Sequence, residues 1–294
     1  MSDILYHYTS VETLYAILNN INNDVLTLRA THVNYLNDNT ENEIAVQILK
    51  KNLLEYETEL GIGNNGKIKK HLDDNISFFK NISFDKLPPF IFSLSEEKDS
   101  LPMWNTYADK SLGVTIGFDK NKIETEIENL SNARLLRCDY IHDEVENFIK
   151  ENISYLYKSI NISNYFVGIL DDVEKLEWLA FEKMISFLKH SSYDYEKEWR
   201  VVMEPKFDWD AKDNFKDVNF NVVNGMPKPY IQFELKTNFI KEIVVGPSSD
   251  FNLVSKSIFM MLKKKGLDST IIENVFNYPN NILITNSNCP FRKI

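Results

Sequence analysis

This chain predicts an α+β fold: a single domain built on one mixed or antiparallel sheet with inserted helices. Three observations predict it. Short apolar strands recur along the whole length, amphipathic helical stretches are inserted between them, and no Pro/Gly/Ser-rich linker, repeat or low-complexity segment divides the 294 residues. A chain of this length buries a sizeable core.

Residues 3–8 read as a strand leading into a helix capped by Ser10, with Val11, Leu14, Tyr15 and Leu18 on one face. Val25 to Ala30 alternates as a strand. Asn37-Asp38-Asn39-Thr40 then precedes a helix that buries Ile44, Ile48 and Leu49. Gly61-Ile62-Gly63-Asn64-Asn65-Gly66 matches the letters of a dinucleotide fingerprint. The residues before it continue a charged helix, so Gly61 reads as a helix C-cap and the match is rejected. Next come a strand at 90–95, a short helix near 100–108, a strand at 113–118, a helix at 120–131 and a strand around 135–138. Amphipathic helices fill 143–160 and 173–190, and a strand follows at 198–203. Lys206 to Pro227 reads as a loop or hairpin. Strands at 229–235 and 242–246, a helix at 250–265 and a short strand at 270–272 complete the chain. Helical insertions thus fall near 38–85 and 140–192.

A formal charge of −10 argues against a general nucleic-acid coating role, because phosphate binding wants a basic surface. Two cysteines, Cys138 and Cys289, make no disulfide framework and no zinc spacing, so a reducing cytoplasm is expected. No secretory signal and no membrane span is expected. The sequence has no P-loop, no G-x-S-x-G elbow and no H-E-x-x-H.

Polar residues inside short apolar strands are the anomaly that points to a site. His7 lies in Ile4-Leu5-Tyr6-His7-Tyr8, followed by Thr9 and Ser10 at a strand-to-helix turn where backbone donors suit a diphosphate. The bland alternative is a core histidine bonded to backbone. Glu196 and Glu198, two apart, face one side of a strand. Such a like-charge pair needs solvent, a cation or a substrate hydroxyl, and one pKa should rise; the alternative is a solvated face. Arg200 shares that face and pairs with either glutamate. Trp104 and Tyr107, three apart on a helix, are core aromatics or walls that stack a flat ring, and Ser93 and Ser95 precede them. Arg29 is a weaker candidate. Asp38, Glu41 and Glu196 would hold magnesium in a nuclease or phosphodiesterase alternative.

Tyr6-His7-Tyr8-Thr9-Ser10, Leu26-Thr27-Leu28-Arg29-Ala30, Asn37-Asp38, Phe92-Ser93-Leu94-Ser95, Met103 to Ala108 and Glu198-Trp199-Arg200 resemble the bacterial family called domain of unknown function 2971. More distantly, the same order resembles the H-Y-E class of ADP-ribosyltransferases. The shared features are His7 on an opening strand, Ile17-Leu18 on the next helix, Phe92-Ser93 on a middle strand, Tyr107 on a helix and Glu198 on a late strand. Glu196-Lys197-Glu198 also resembles the E-x-E pair of arginine-modifying transferases. Tyr8 stands where a glycine often follows the histidine, and Tyr35, Phe92 and Tyr107 compete for the aromatic position.

This resemblance implies a split sheet and NAD as substrate, with no metal. It implies that Glu198, Glu196 and His7 are catalytic, and that His7, Tyr8, Thr9, Arg29, Ser93, Trp104, Tyr107 and Arg200 bind the dinucleotide. An unknown macromolecular acceptor, protein or nucleic acid, is implied, as is a toxin or anti-phage defence role with a neutralising or defence-system partner. The alternatives are an NAD glycohydrolase using the same residues and a noncatalytic nucleotide- or protein-binding module.

Overall fold

Eleven strands pair into one sheet in the computed structural model, which describes residues 3–36, 41–61, 89–154, 157, 187–204, 216–223, 225–271 and 281–290. The strands are β1 (Ile4–Thr9), β2 (Val25–His32), β3 (Phe90–Ser95), β4 (Val114–Asp119), β5 (Ala133–Arg137), β6 (Glu198–Met203), β7 (Val218–Val223), β8 (Met226–Lys236), β9 (Ile240–Val245), β10 (Ser269–Ile271) and β11 (Ile282–Asn286). The helices are α1 (Val11–Asn19), α2 (Glu41–Glu59), α3 (Leu101–Tyr107), α4 (Lys120–Glu128), α5 (Asp143–Glu151) and α6 (Phe251–Lys264). Only β10–β11 and β11–β9 pair in parallel; the remaining pairs are antiparallel, so the fold is α+β with a mixed sheet.

Local chemistry fixes the helix starts. The Ser10 hydroxyl accepts the Thr13 amide at 3.1 Å, and the Asp119 and Asp250 carboxylates accept the amides of Lys122 and Leu253, each at 3.2 Å. On α1 the buried residues are Leu14, Ile17 and Leu18, whereas Tyr15 is exposed; the apolar face is turned from the one the sequence predicted. Gly61 closes α2 in the left-handed region at φ 74°, as a C-cap does. Gly63, Gly66, Asn37 to Thr40 and most of the expected helix at 173–190 lie outside the described residues. Residues 187–190, which end that expected helix, are not helical.

From residue 218 onward the stretch expected as a loop or hairpin is a hairpin: Val218–Val223 form β7, which joins β8 through a two-residue connection in which Gly225 has φ 77°. Strand β11, absent from the sequence reading, inserts between β9 and β10.

The sheet forks at β3. One edge of β3 pairs with β6 along its whole length, from Phe90↔Met203 to Ser95↔Glu198. The other edge is shared by β1, at Tyr6↔Ser95, and β2, at Thr31↔Ile91 and His32↔Phe90. These registers sort side chains onto two faces. Leu5, Phe90, Phe92, Leu94, Ile116, Phe118, Val201 and Met203 share the main core with α1, α4 and α6. Tyr6, Tyr8 and Val244 face the other way and pack under Met103 and Trp104 of α3. A third cluster joins α2, α5, Phe187 and Leu188.

Candidate functional site

Ser93, Ser95, Glu198 and Arg200 project from the same face of β3 and β6, because Ser93 is opposite Arg200 and Ser95 opposite Glu198. Glu196 reaches that face by another route. It ends a 3-10 turn, Ser191–Glu196, and Lys197 then adopts a left-handed φ of 41° before β6 begins. The two glutamates therefore are not alternate residues of one strand, as the spacing predicted, yet their carboxylates still converge.

They converge on Lys189. Its ammonium donates to Glu196 Oε2 at 2.5 Å and to Glu198 Oε2 at 2.7 Å. Phe187 and Lys189 bond to the backbone of Asp139, which fixes the ammonium in place. Arg200 Nη2 adds a bond to Glu198 Oε2 at 3.0 Å, and Cys138 Sγ lies 3.6 Å from the same oxygen. Tyr107 donates its phenol to Glu196 Oε1 at 2.8 Å. The Tyr140 hydroxyl accepts the Glu198 amide at 2.7 Å, and the Ser95 hydroxyl donates to the Glu196 carbonyl at 2.5 Å. Lys189 and Arg200 thus face the two carboxylates, and the side chains of all four are at most 5% exposed.

The electrostatics follow from that pairing. Burial pushes the Glu198 carboxyl upward, but Arg200 and then Lys189 outweigh it and hold the group near a pKa of about 2. The sequence argument expected a raised carboxyl in this pair; for Glu198 the adjacent cations reverse the sign. Burial works against the Lys189 ammonium, yet Glu198 and Glu196 raise its pKa above the ordinary range. Burial, followed by the charge of Glu196, raises the Tyr107 phenol.

His7 is elsewhere. The register Tyr6↔Ser95 turns His7 toward the main-core face, opposite to Glu198. Its ring stacks on Phe92 with centroids 4.3 Å apart, and Nδ1 lies 2.9 Å from the Ser93 carbonyl. That carbonyl lies on β3 between the β1 and β2 pairings, so the imidazole caps it where the fork separates the strands. Burial lowers the His7 pKa, with partial compensation from Ser93, and the neutral ring donates from Nδ1.

The other sequence candidates have defined partners. Trp104, fully buried, donates Nε1 to Asp99 Oδ1 at 2.6 Å and meets Tyr8 edge to face, so it is a core aromatic and not a stacking wall. Tyr8 donates to the Glu97 carbonyl at 2.9 Å and accepts the Ser100 amide at 3.0 Å, ordering the loop after β3. Thr9 is buried at the end of β1. Arg29 is exposed, its guanidinium 4.6 Å from the Tyr230 ring on β8, on the side of β2 away from β6. The structure therefore gathers Glu196, Glu198, Arg200, Ser93 and Tyr107, and leaves His7, Thr9 and Arg29 outside the cluster.

Sequence reasoning missed Lys189, Cys138, Tyr140 and Asp99. A buried carboxylate pair demands a cation, which was a usable signal, but 33 lysines and arginines compete for that role. Among the described residues no three His, Cys, Asp or Glu side chains converge as metal ligands. Asp38, needed for the magnesium alternative, lies outside the described residues. Neither cysteine forms a disulfide, and no described helix is long and apolar enough to cross a membrane.

No curated protein and no solved structure matches this chain. The stretch from residue 103 to 201 runs from α3 to β6 and includes Tyr107, Lys189, Glu196, Glu198 and Arg200 but not His7. That stretch matches the family model described as "Protein of unknown function (DUF2971)", and it is to this family that the chain is similar.

Proposed function

We propose that this chain acts on NAD through Glu198, as an ADP-ribosyltransferase-like enzyme with a macromolecular acceptor or as a glycohydrolase with water as acceptor. One observation carries the reading: an ionised Glu198 and a second carboxylate, Glu196, converge beside the Tyr107 phenol on one face of β6. Breaking the bond from nicotinamide to ribose builds positive charge on the sugar, and a preorganised carboxylate stabilises it. Glu196 is the base for the acceptor. The Lys189 ammonium, bonded to both carboxylates, holds them together on this face. His7, on the far face, supports the fork and takes no part in the chemistry. A cytoplasmic, toxin or defence role and a neutralising partner belong to the same proposal.

A second reading is favoured by the burial and ion pairing of the cluster. In it the four charges brace a noncatalytic nucleotide- or protein-binding module. Nicotinamide release and calorimetric NAD binding, measured on wild type, Glu198→Gln and His7→Ala, separate the two. The enzymatic reading expects release to fall by on the order of 10²–10³ in Glu198→Gln and to survive in His7→Ala. Binding without release in wild type supports the module, and neither binding nor release removes NAD from both readings.

A further inference from the structure

Strand β7 ends the sheet. Its inner edge pairs with β8, and among the described residues no strand pairs with its outer edge. Soluble proteins usually blunt such an edge with a lysine, a proline or a bulge. β7 reads Val-Asn-Phe-Asn-Val-Val and its register is continuous, so it carries none of these. From Val218 to Pro227 the sequence holds no charge, in a chain whose net charge is −10.

The two faces of this edge differ. Val218, Phe220 and Val222 lie on the main-core face, opposite Ile231, Pro229 and Pro227 of β8. Ile231 is buried and Val218 packs against the core, so the strip extends the core outward. Its outer end is open: Phe220 is 66% and Val222 68% exposed. Asn219 and Asn221 occupy the opposite face.

We propose that the outer edge of β7 pairs antiparallel with β7 of a second copy of this chain, extending the sheet across a twofold axis. Such an axis stands perpendicular to the sheet and keeps equivalent faces together, which requires each residue to meet one of the same parity. Centring the axis on Phe220 sets Phe220 beside its own counterpart, Val218 beside the counterpart of Val222, and Asn219 beside that of Asn221. Apolar then meets apolar and amide meets amide. A second copy is the occupant favoured by charge, because this run is where two strongly acidic chains touch without juxtaposing like charges. A partner chosen by charge would find nothing here to select it. The ladder centred on Phe220 spans five residues, Val218 to Val222, so association is weak and concentration-dependent.

Sedimentation velocity from about 1 μM to about 1 mM tests this, since that range brackets weak association. The mass should rise with concentration from 34.4 kDa toward twice that value. Phe220→Lys, and independently Val222→Lys, should hold the chain at the monomer mass while circular dichroism and the melting temperature match wild type. Because both side chains are exposed, neither change disturbs the core, and if one variant misfolds the other decides. A wild type that stays monomeric throughout overturns the proposal and leaves the edge to a partner of different sequence. Association that survives both substitutions overturns it by placing the contact on another surface.

Discussion

Replacing Lys189 with methionine removes the ammonium shared by Glu196 and Glu198 while keeping most of the volume of the side chain. Glu198 retains Arg200, at 3.0 Å, whereas Glu196 keeps neutral partners, among them the Tyr107 phenol at 2.8 Å. Removing one partner of a buried ion pair costs about 3–5 kcal/mol, and the near-complete burial of this site places the loss in that range. The pH dependence identifies the cause. Without the ammonium, two neighbouring buried carboxylates raise each other's pKa, so the folded variant binds a proton that the unfolded chain releases. Its stability then falls as pH rises, and the deficit relative to wild type is larger at about pH 8 than at about pH 5. Urea denaturation followed by tryptophan fluorescence at the two pH values reads this directly, and adding Glu196→Gln should recover part of the loss. A deficit below about 1 kcal/mol, equal at both pH values, would refute the argument, because it is the behaviour of a solvated surface pair.

Two further outcomes follow from the same structure. His32 is buried and its pKa is lowered to about 4, chiefly by burial. The unfolded chain therefore binds the extra proton first. Stability should fall by up to about 3 kcal/mol as pH drops from the ordinary histidine value toward the folded one. A His32→Gln variant should flatten that slope, and an unchanged slope would show that His32 is not its source. Tyr107→Phe deletes one hydrogen bond to a charged, buried carboxylate and should cost about 1.5–3 kcal/mol in a thermal or urea melt. A melt indistinguishable from wild type would mean that Glu196 does not depend on this phenol.

How much of this was legible in the sequence depends on the kind of signal. Strands β3 and β6 are each apolar runs, buried on the core face, and their boundaries read correctly from composition alone. The bounds of β7 were not legible within the stretch read as a loop or hairpin, because all of its apolar residues but Val218 are exposed and its alternation of valine or phenylalanine with asparagine marks little buried face. The proximity of Glu196, Glu198 and Arg200 was read from their spacing, whereas Tyr107 joined them through the family resemblance. The separation of His7 from Glu198 was not, because it depends on strand register. Pairing Tyr6 with Ser95 sends His7 to one face, and a slip of one residue would have sent it to the other. Lys189 was hidden for a related reason: its place beside the glutamates comes from a backbone bridge to Asp139 that no local pattern announces.

The fork has a mechanical consequence. By backbone pairing, the sheet consists of two wings, β10-β11-β9-β4-β1 and β2-β8-β7, joined through β3 as a keel, with β6 and β5 along its opposite side. Among the described residues, the wings are tied to that side of the keel at Ser95 and at Phe90–Ile91, with the Val33 amide bonded to the Pro89 carbonyl just before β3. A change of angle between the wings therefore concentrates its shear at Phe92–Leu94, where the His7 ring is wedged. A load applied at β7, at one outer rim of the sheet, would reach β1 through β3, the His7 wedge and the shared core, on the edge of β3 opposite to its ladder with β6.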